Sequence, residues 1–206
     1  LSIDSSGLLW IGTYNGPMTY DSSTDKLTMY ELVKDKSIRV NAIFESRAGD
    51  VWIGTGEGLI KMDRATREKT VYTEEDGLAS NSVSGILEDN DGNLWISTFN
   101  GLSRLDRESG TFKNFYQHDG LQENEFNVRA AYKSANGRMY FGGINGLTAF
   151  SPQYVERQKV TLGNSCLHLV EVFYGLISCI AACCHHGACR QNYKYLFHLS
   201  NTLICS

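Results

Sequence analysis

Short apolar runs recur along the first 155 residues, each set between turn signals rich in glycine, asparagine and aspartate. Leu94 to Thr98 is one such run. "NDGN" precedes it and "NG" follows it. Runs this short, bounded by residues that accept positive φ, predict β-hairpins. A second run, Leu102 to Leu105, ends at Asp106 and the turn "RESG", after which "TFKNFY" supplies another strand. Ahead of them "SVSGILED" supplies one more. Along the central run Leu94 and Ile96 point one way and Trp95 the other, so the strand is apolar on both faces. A strand with one wet face would alternate more cleanly. The pattern therefore predicts a strand pressed between two layers.

The same pattern appears four times, in "DSSGLLWIGTYNGPMTYD", "SRAGDVWIGTGEGLIKMD", "DNDGNLWISTFNGLSRLD" and "SANGRMYFGGINGLTAFS". Its aromatic anchors are Trp10, Trp52, Trp95 and Tyr140, spaced by 42, 43 and 45 residues. A glycine stands three residues before each anchor and another six after it. Asp21, Asp63, Asp106 and Ser151 stand eleven after, and Tyr30, Tyr72 and Phe115 twenty after the first three. The residue two after the anchor is always small (Gly12, Gly54, Ser97, Gly142), which predicts close approach of the neighbouring unit. A fixed period of this length with four antiparallel strands per unit is the signature of propeller blades. The expected fold is all-β, with blades near residues 1–36, 37–79, 80–123 and 124–155. The fourth blade stops after its third strand, so an incomplete arc is expected rather than a closed ring.

The skeleton "DGNLWISTFNGLSRLDRESG" resembles the two-component regulator propeller repeat. The stretch "FNVRAAYKSANGRMYFGGINGLTAFSP" resembles the last blade of such a propeller, ahead of a β-sandwich domain that leads to the membrane. The resemblance spans residues 1 to 155. It implies a fragment of the extracytoplasmic, periplasmic sensor region of a hybrid two-component sensor histidine kinase, many of which respond to carbohydrate fragments. The partners it implies are a small ligand such as an oligosaccharide and the rest of a membrane sensor, with dimerisation of the parent protein left open. No phosphoacceptor-histidine segment, nucleotide-binding box or receiver domain lies within the 206 residues. Ligand sensing without catalysis is the expected role. A scaffold for protein partners and a propeller lyase or hydrolase are the alternatives.

Composition adds less. The formal net charge is -4 and the pI about 5.7, and no basic face suggests nucleic acid. His118 is the only histidine before residue 165, and its loop "YQHDGL" offers no catalytic constellation. The acidic "EDNDGN" lacks the spacing of a calcium-binding EF-hand loop and reads as a hairpin turn. All six cysteines follow residue 165, where the repeat period ends. Their "CCHHGAC" cluster lacks the paired spacing of a zinc frame, so neither a metal nor a cofactor is expected. Val172 to Cys184 is thirteen uncharged residues, short of the roughly twenty that span a membrane. Residues 156–206 stay unassigned, an irregular or partly helical tail whose abrupt change of composition suggests a reading-frame or assembly break.

Four antiparallel strands reverse direction three times. The turns between second and third strands must therefore emerge on the same face as the longer blade-to-blade loops. Loops on rigid scaffolds carry binding residues. The candidate ligand-binding residues are Tyr14, Asn15, Phe99 and Asn100 in the turns, with Asn81, Ser82, Asn124 and Asn127 where the chain enters inner strands. Aromatic rings would stack on the apolar faces of sugars, and amides would bond their hydroxyls. The competing reading is that the rings pack neighbouring loops and the amides cap turns.

Overall fold

The hairpin signals fold as four antiparallel sheets. A computed structural model describes residues 1–33, 36–64 and 66–155. The Cys-rich tail, with the helix, zinc and membrane-span questions it raised, lies outside the described residues. The first sheet contains β1 (Ser2–Ile3), β2 (Leu9–Thr13), β3 (Gly16–Asp21) and β4 (Lys26–Met29). The second contains β5 (Val40–Glu45), β6 (Val51–Thr55), β7 (Leu59–Met62) and β8 (Lys69–Tyr72). The third contains β9 (Val83–Glu88), β10 (Leu94–Thr98), β11 (Gly101–Leu105) and β12 (Phe112–Phe115). The fourth has three strands, β13 (Phe126–Lys133), β14 (Met139–Gly143) and β15 (Gly146–Phe150), followed by a single helical turn, α1 (Pro152–Val155). Within each sheet the strands pair in chain order. All four anchors lie on second strands, so the fold is an all-β array of blades.

Burial explains the two-sided apolar pattern. On β10, Trp95 packs with Phe126, Met139 and Phe141 of the fourth sheet. Leu94 and Ile96 pack with Trp52 and Leu59 of the second. One strand thus belongs to two interfaces, and each fully buried large side chain contributes roughly 1.5–3 kcal/mol. The aromatic twenty residues on completes the site of each tryptophan anchor: Tyr30 stacks on Trp10 at 5.3 Å, Tyr72 on Trp52 at 5.9 Å and Phe115 on Trp95 at 5.5 Å.

The small residue after the anchor marks close blade contact. A Cβ on Gly54 would lie 2.5 Å from Val83 Cγ1, and one on Gly12 would lie 2.8 Å from Val40 Cγ1. Both valines open the inner strand of the next blade. In the fourth sheet the equivalent Gly142 instead faces Ala130 of its own sheet.

Two carboxylate clasps hold the anchors. Asp89 accepts the N–H groups of Asp91 and Asn93 and, at 3.0 Å, the indole Nε1 of Trp95. Asp4 does the same for Ser6, Leu8 and Trp10. The turns they close also need a left-handed residue, met by Gly92 at φ 91° and Gly7 at φ 87°. The aspartate eleven residues after the anchor closes the outer turn: Asp21 accepts from Ser23 and Thr24, and Asp106 from Glu108 and Ser109.

The inner strands carry bulges. Asn41 in β5 and Ser84 in β9 have no cross-strand partner. Each reaches the next blade, Asn41 Nδ2 donating to Val83 O and Ser84 Oγ to Phe126 O, both at 2.9 Å. In β13 the bulge is larger: residues 127 to 130 stand against Gly142 alone. The two additional residues account for the lengthening of the anchor spacing from 43 to 45.

Candidate functional site

The turns between second and third strands are built alike. Thr13 Oγ1 donates to Gly16 O, Thr55 Oγ1 to Gly58 O and Thr98 Oγ1 to Gly101 O, at 2.7 to 2.8 Å. The residue after each threonine is pushed outward. Tyr14 is 73% exposed, Phe99 46% and Ile144, after Gly143, 60%; Gly56 fills the same place in the second blade. Backbone bonds join these turns to the points where the chain enters inner strands: Phe99 N to Ser82 O at 3.0 Å, Gly101 N to Asn124 O at 2.7 Å and Ile144 N to Glu125 O at 3.3 Å. Turns and connecting loops therefore share one end of the sheets.

The two long connectors repeat the same device. Glu74–Asp76 and Gln117–Asp119 form short 3-10 turns, each closed by a left-handed glycine, Gly77 and Gly120. Asn81 Oδ1 accepts Glu74 N at 2.9 Å, and Asn124 Oδ1 accepts Gln117 N at 2.7 Å. Glu74 in return accepts Asn81 N, and Glu123 accepts Asn124 N. The side-chain oxygens of both asparagines thus brace the loops.

The other candidates separate by place. Asn15 and Asn100 are exposed in their turns, with backbone N–H groups bonded to Thr13 and Thr98 Oγ1. Ser82 N donates to Ser80 Oγ at 3.3 Å. Asn127 is exposed on β13 within the enlarged bulge. Tyr14 has a partner the sequence did not suggest: the Arg39 guanidinium lies over its ring, 5.1 Å from the centroid. His118 is 77% exposed in its side chain and stacks on Tyr116 at 5.7 Å.

Residues 77–100, from the connector glycine through β9 and β10 to the "FNG" turn, match the two-component regulator propeller family. That stretch is one two-component regulator propeller repeat. The propeller array is also similar to the extracellular domain of a hybrid two-component system from B. thetaiotaomicron, at 30% identity and a TM-score of 0.68 over 76% of this chain and 22% of that one. A second such domain from the same organism matches at 21% identity and a TM-score of 0.60, over 71% of this chain and 20% of that one. Virginiamycin B lyase from Staphylococcus aureus matches at 16% identity and a TM-score of 0.56, over 73% of this chain and 54% of that one. The last two show the fold alone. The propeller array spans about a fifth of the length of the two extracellular domains. No curated protein matches it.

Electrostatics distinguish the two ends of the propeller blades. The carboxylates displaced from their ordinary range lie in the structural turns. For Asp4, burial works to raise the pKa, but bonds from the Ser6 hydroxyl, the Trp10 indole and two backbone N–H groups outweigh it and hold the carboxyl low. Asp21 is lowered by the Ser23 and Thr24 hydroxyls, and Asp106 by the backbone N–H and hydroxyl of Ser109. Arg64 joins Asp4 and Glu45 at this end, both at 2.9 Å. The end with the exposed aromatics carries Arg39, polar amides and carboxylates of its own, among them Glu57, which pairs with Lys36, and Glu74 and Glu123 in the connectors.

Proposed function

We propose that the array is the ligand-recognition part of an extracytoplasmic two-component sensor, placed in the periplasm, and that its ligand is an oligosaccharide bound at the end bearing Tyr14 and Phe99. The observation that carries this reading is the pair of exposed aromatic rings at equivalent points of a rigid, hydrogen-bonded frame. Arg39 occupies one face of the Tyr14 ring, a contact worth about 0.5–1 kcal/mol at an exposed site. It holds the ring upright and leaves the other face for the apolar face of a pyranose. Asn15 and Asn100, next to the rings, have amides placed for sugar hydroxyls. The resemblance to extracellular domains of two-component systems supports a sensing role in which the signal passes to a kinase portion outside this chain. The lyase likeness is one of fold, and fold alone does not carry chemistry.

The test is titration calorimetry of the full chain against a panel of neutral and acidic oligosaccharides, repeated with Tyr14→Ala and Phe99→Ala. Saturable binding that weakens in both variants, without product formation, supports the reading. Binding unchanged in both variants, or turnover of the glycan, overturns it. Capture of a protein partner by the same face, with no sugar bound, would favour a scaffold.

A further inference from the structure

The enlarged bulge of β13 places a cation where the repeat frame has none. Val83 and Gly85 flank Ser84 in the third blade; the matching Phe126 and Ala130 flank Asn127, Val128 and Arg129. Arg129 takes the left-handed conformation, φ 66°. Among the described residues two other non-glycines do so, Asp25 and Arg67, and both sit in outer hairpin turns. Arg129 does so inside a strand. Such a conformation is strained for a residue with a side chain and persists where the surroundings enforce it. Bulges commonly re-aim a side chain, and here the side chain crosses to the second blade. Arg129 Nε donates to Asn41 O at 3.3 Å, across 88 residues of sequence.

A cavity of about 240 Å³ lies among these inner strands. Leu1, Gly12, Val40, Ala42, Gly85 and Ala131 line it beside the exposed Arg129, and no carboxylate does. Among the described residues Arg129 has no ion pair, and one carbonyl engages one of its five N–H donors. A guanidinium presents its donors as a planar fork that matches the oxygens of a carboxylate or sulfate. The glycines and alanines around it keep the space open. The volume is below the roughly 300–1,000 Å³ of drug-sized ligand sites, so it suits one anionic group rather than a whole oligosaccharide.

We infer that Arg129 makes this cavity an oxyanion-binding site, taking a carboxylate or sulfate group. The site is distinct from the aromatic turns and stands without the sugar reading. The competing role for Arg129 is a plain tie between the fourth blade and the second, and the two roles separate experimentally. Equilibrium dialysis of the full chain with labelled sulfate, at constant ionic strength set with chloride, should give one saturable site. Arg129→Gln should weaken it at least about tenfold, as expected for loss of a charge-assisted contact. Arg129→Gly is the second variant: glycine accepts the backbone conformation, so it should fold as well as the wild type or better while losing the anion. Glucuronate competing for bound sulfate, where glucose does not, would extend the site to sugar acids; competition by neither would confine it to sulfate. Absence of saturable sulfate binding by the wild type, or equal binding by all three proteins, overturns the inference.

Discussion

Replacing Trp95 by phenylalanine should cost more than the same change at Trp52, by an amount the structure defines. Both indoles are buried, at 1% and 6% exposure, and both stack on the aromatic of their fourth strand. The lost ring volume is the same. The main difference is the clasp, beside a second ring, Phe150, 4.7 Å from Trp95 and the Lys61 ammonium 5.7 Å from the Trp52 ring. Trp95 Nε1 donates to Asp89 Oδ2 at 3.0 Å in a buried setting, whereas Ser46 stands in the place of that aspartate before Trp52. A hydrogen bond to a charged group contributes roughly 1.5–3 kcal/mol. Asp89 keeps its bonds from Asp91 and Asn93 when the indole goes, so part of that energy survives. The excess should be about 1–2 kcal/mol, toward the lower end of that range. Urea unfolding of Trp95→Phe, Trp52→Phe, Asp89→Ala and the Asp89→Ala/Trp95→Phe double variant measures it. The cycle should show a coupling of about 1–2 kcal/mol, within the range for residues in direct contact. Equal costs at the two tryptophans, or no coupling, would refute the clasp as an energetic feature.

Gly54→Ala should destabilise by about 1–3 kcal/mol through overpacking, since its Cβ would meet Val83 Cγ1 at 2.5 Å; Val83→Ala in the same chain should recover most of the loss, while Gly56→Ala, with open space around it, should stay within about 0.5 kcal/mol by urea unfolding. The carboxyl of Asp4 is held low in the folded chain, so near its ordinary pKa the unfolded chain binds more protons and stability rises with pH. Its contribution is complete above the unfolded pKa and is lost as pH falls through the folded one, so Asp4→Asn should be clearly less stable than wild type at neutral pH and approach it in acid, as thermal unfolding across the range would show. Tyr14→Ala and Phe99→Ala should leave the unfolding midpoint nearly unchanged, because both rings are exposed.

The blade frame was legible because it is written in one dimension. Anchors, turn glycines and the residue twenty further on recur at fixed offsets, and each offset corresponds to a strand, a turn or a stacking partner. Gly12 and Gly54 were readable as close contacts for the same reason, since only a neighbouring strand requires so small a residue at every repeat. The clasping aspartates were not singled out: Asp4 and Asp89 stand six residues before their anchors, but Ser46 and Ser134 replace them in the other two blades. Residues at the candidate site were harder. That Asn81 and Asn124 give their side-chain oxygens to the 3-10 turns, or that Arg39 lies over Tyr14, depends on how loops return in space. The spacing of 45 was visible in the sequence, yet only the strand register places its two additional residues in the β13 bulge and directs Arg129 across to Asn41.

The central claim is that ligand binds at the end of the blades bearing the "YNG" and "FNG" turns, and hydrogen–deuterium exchange with and without a bound oligosaccharide tests it most directly. Protection should appear at Tyr14 to Gly16, at Phe99 to Gly101 and in the connector around Asn81 and Ser82. The turns at Ser5 to Gly7 and Asn90 to Gly92, at the opposite end, should exchange at the same rate in both states. Protection confined to those opposite turns, or an exchange pattern unchanged by every oligosaccharide offered, would contradict the account.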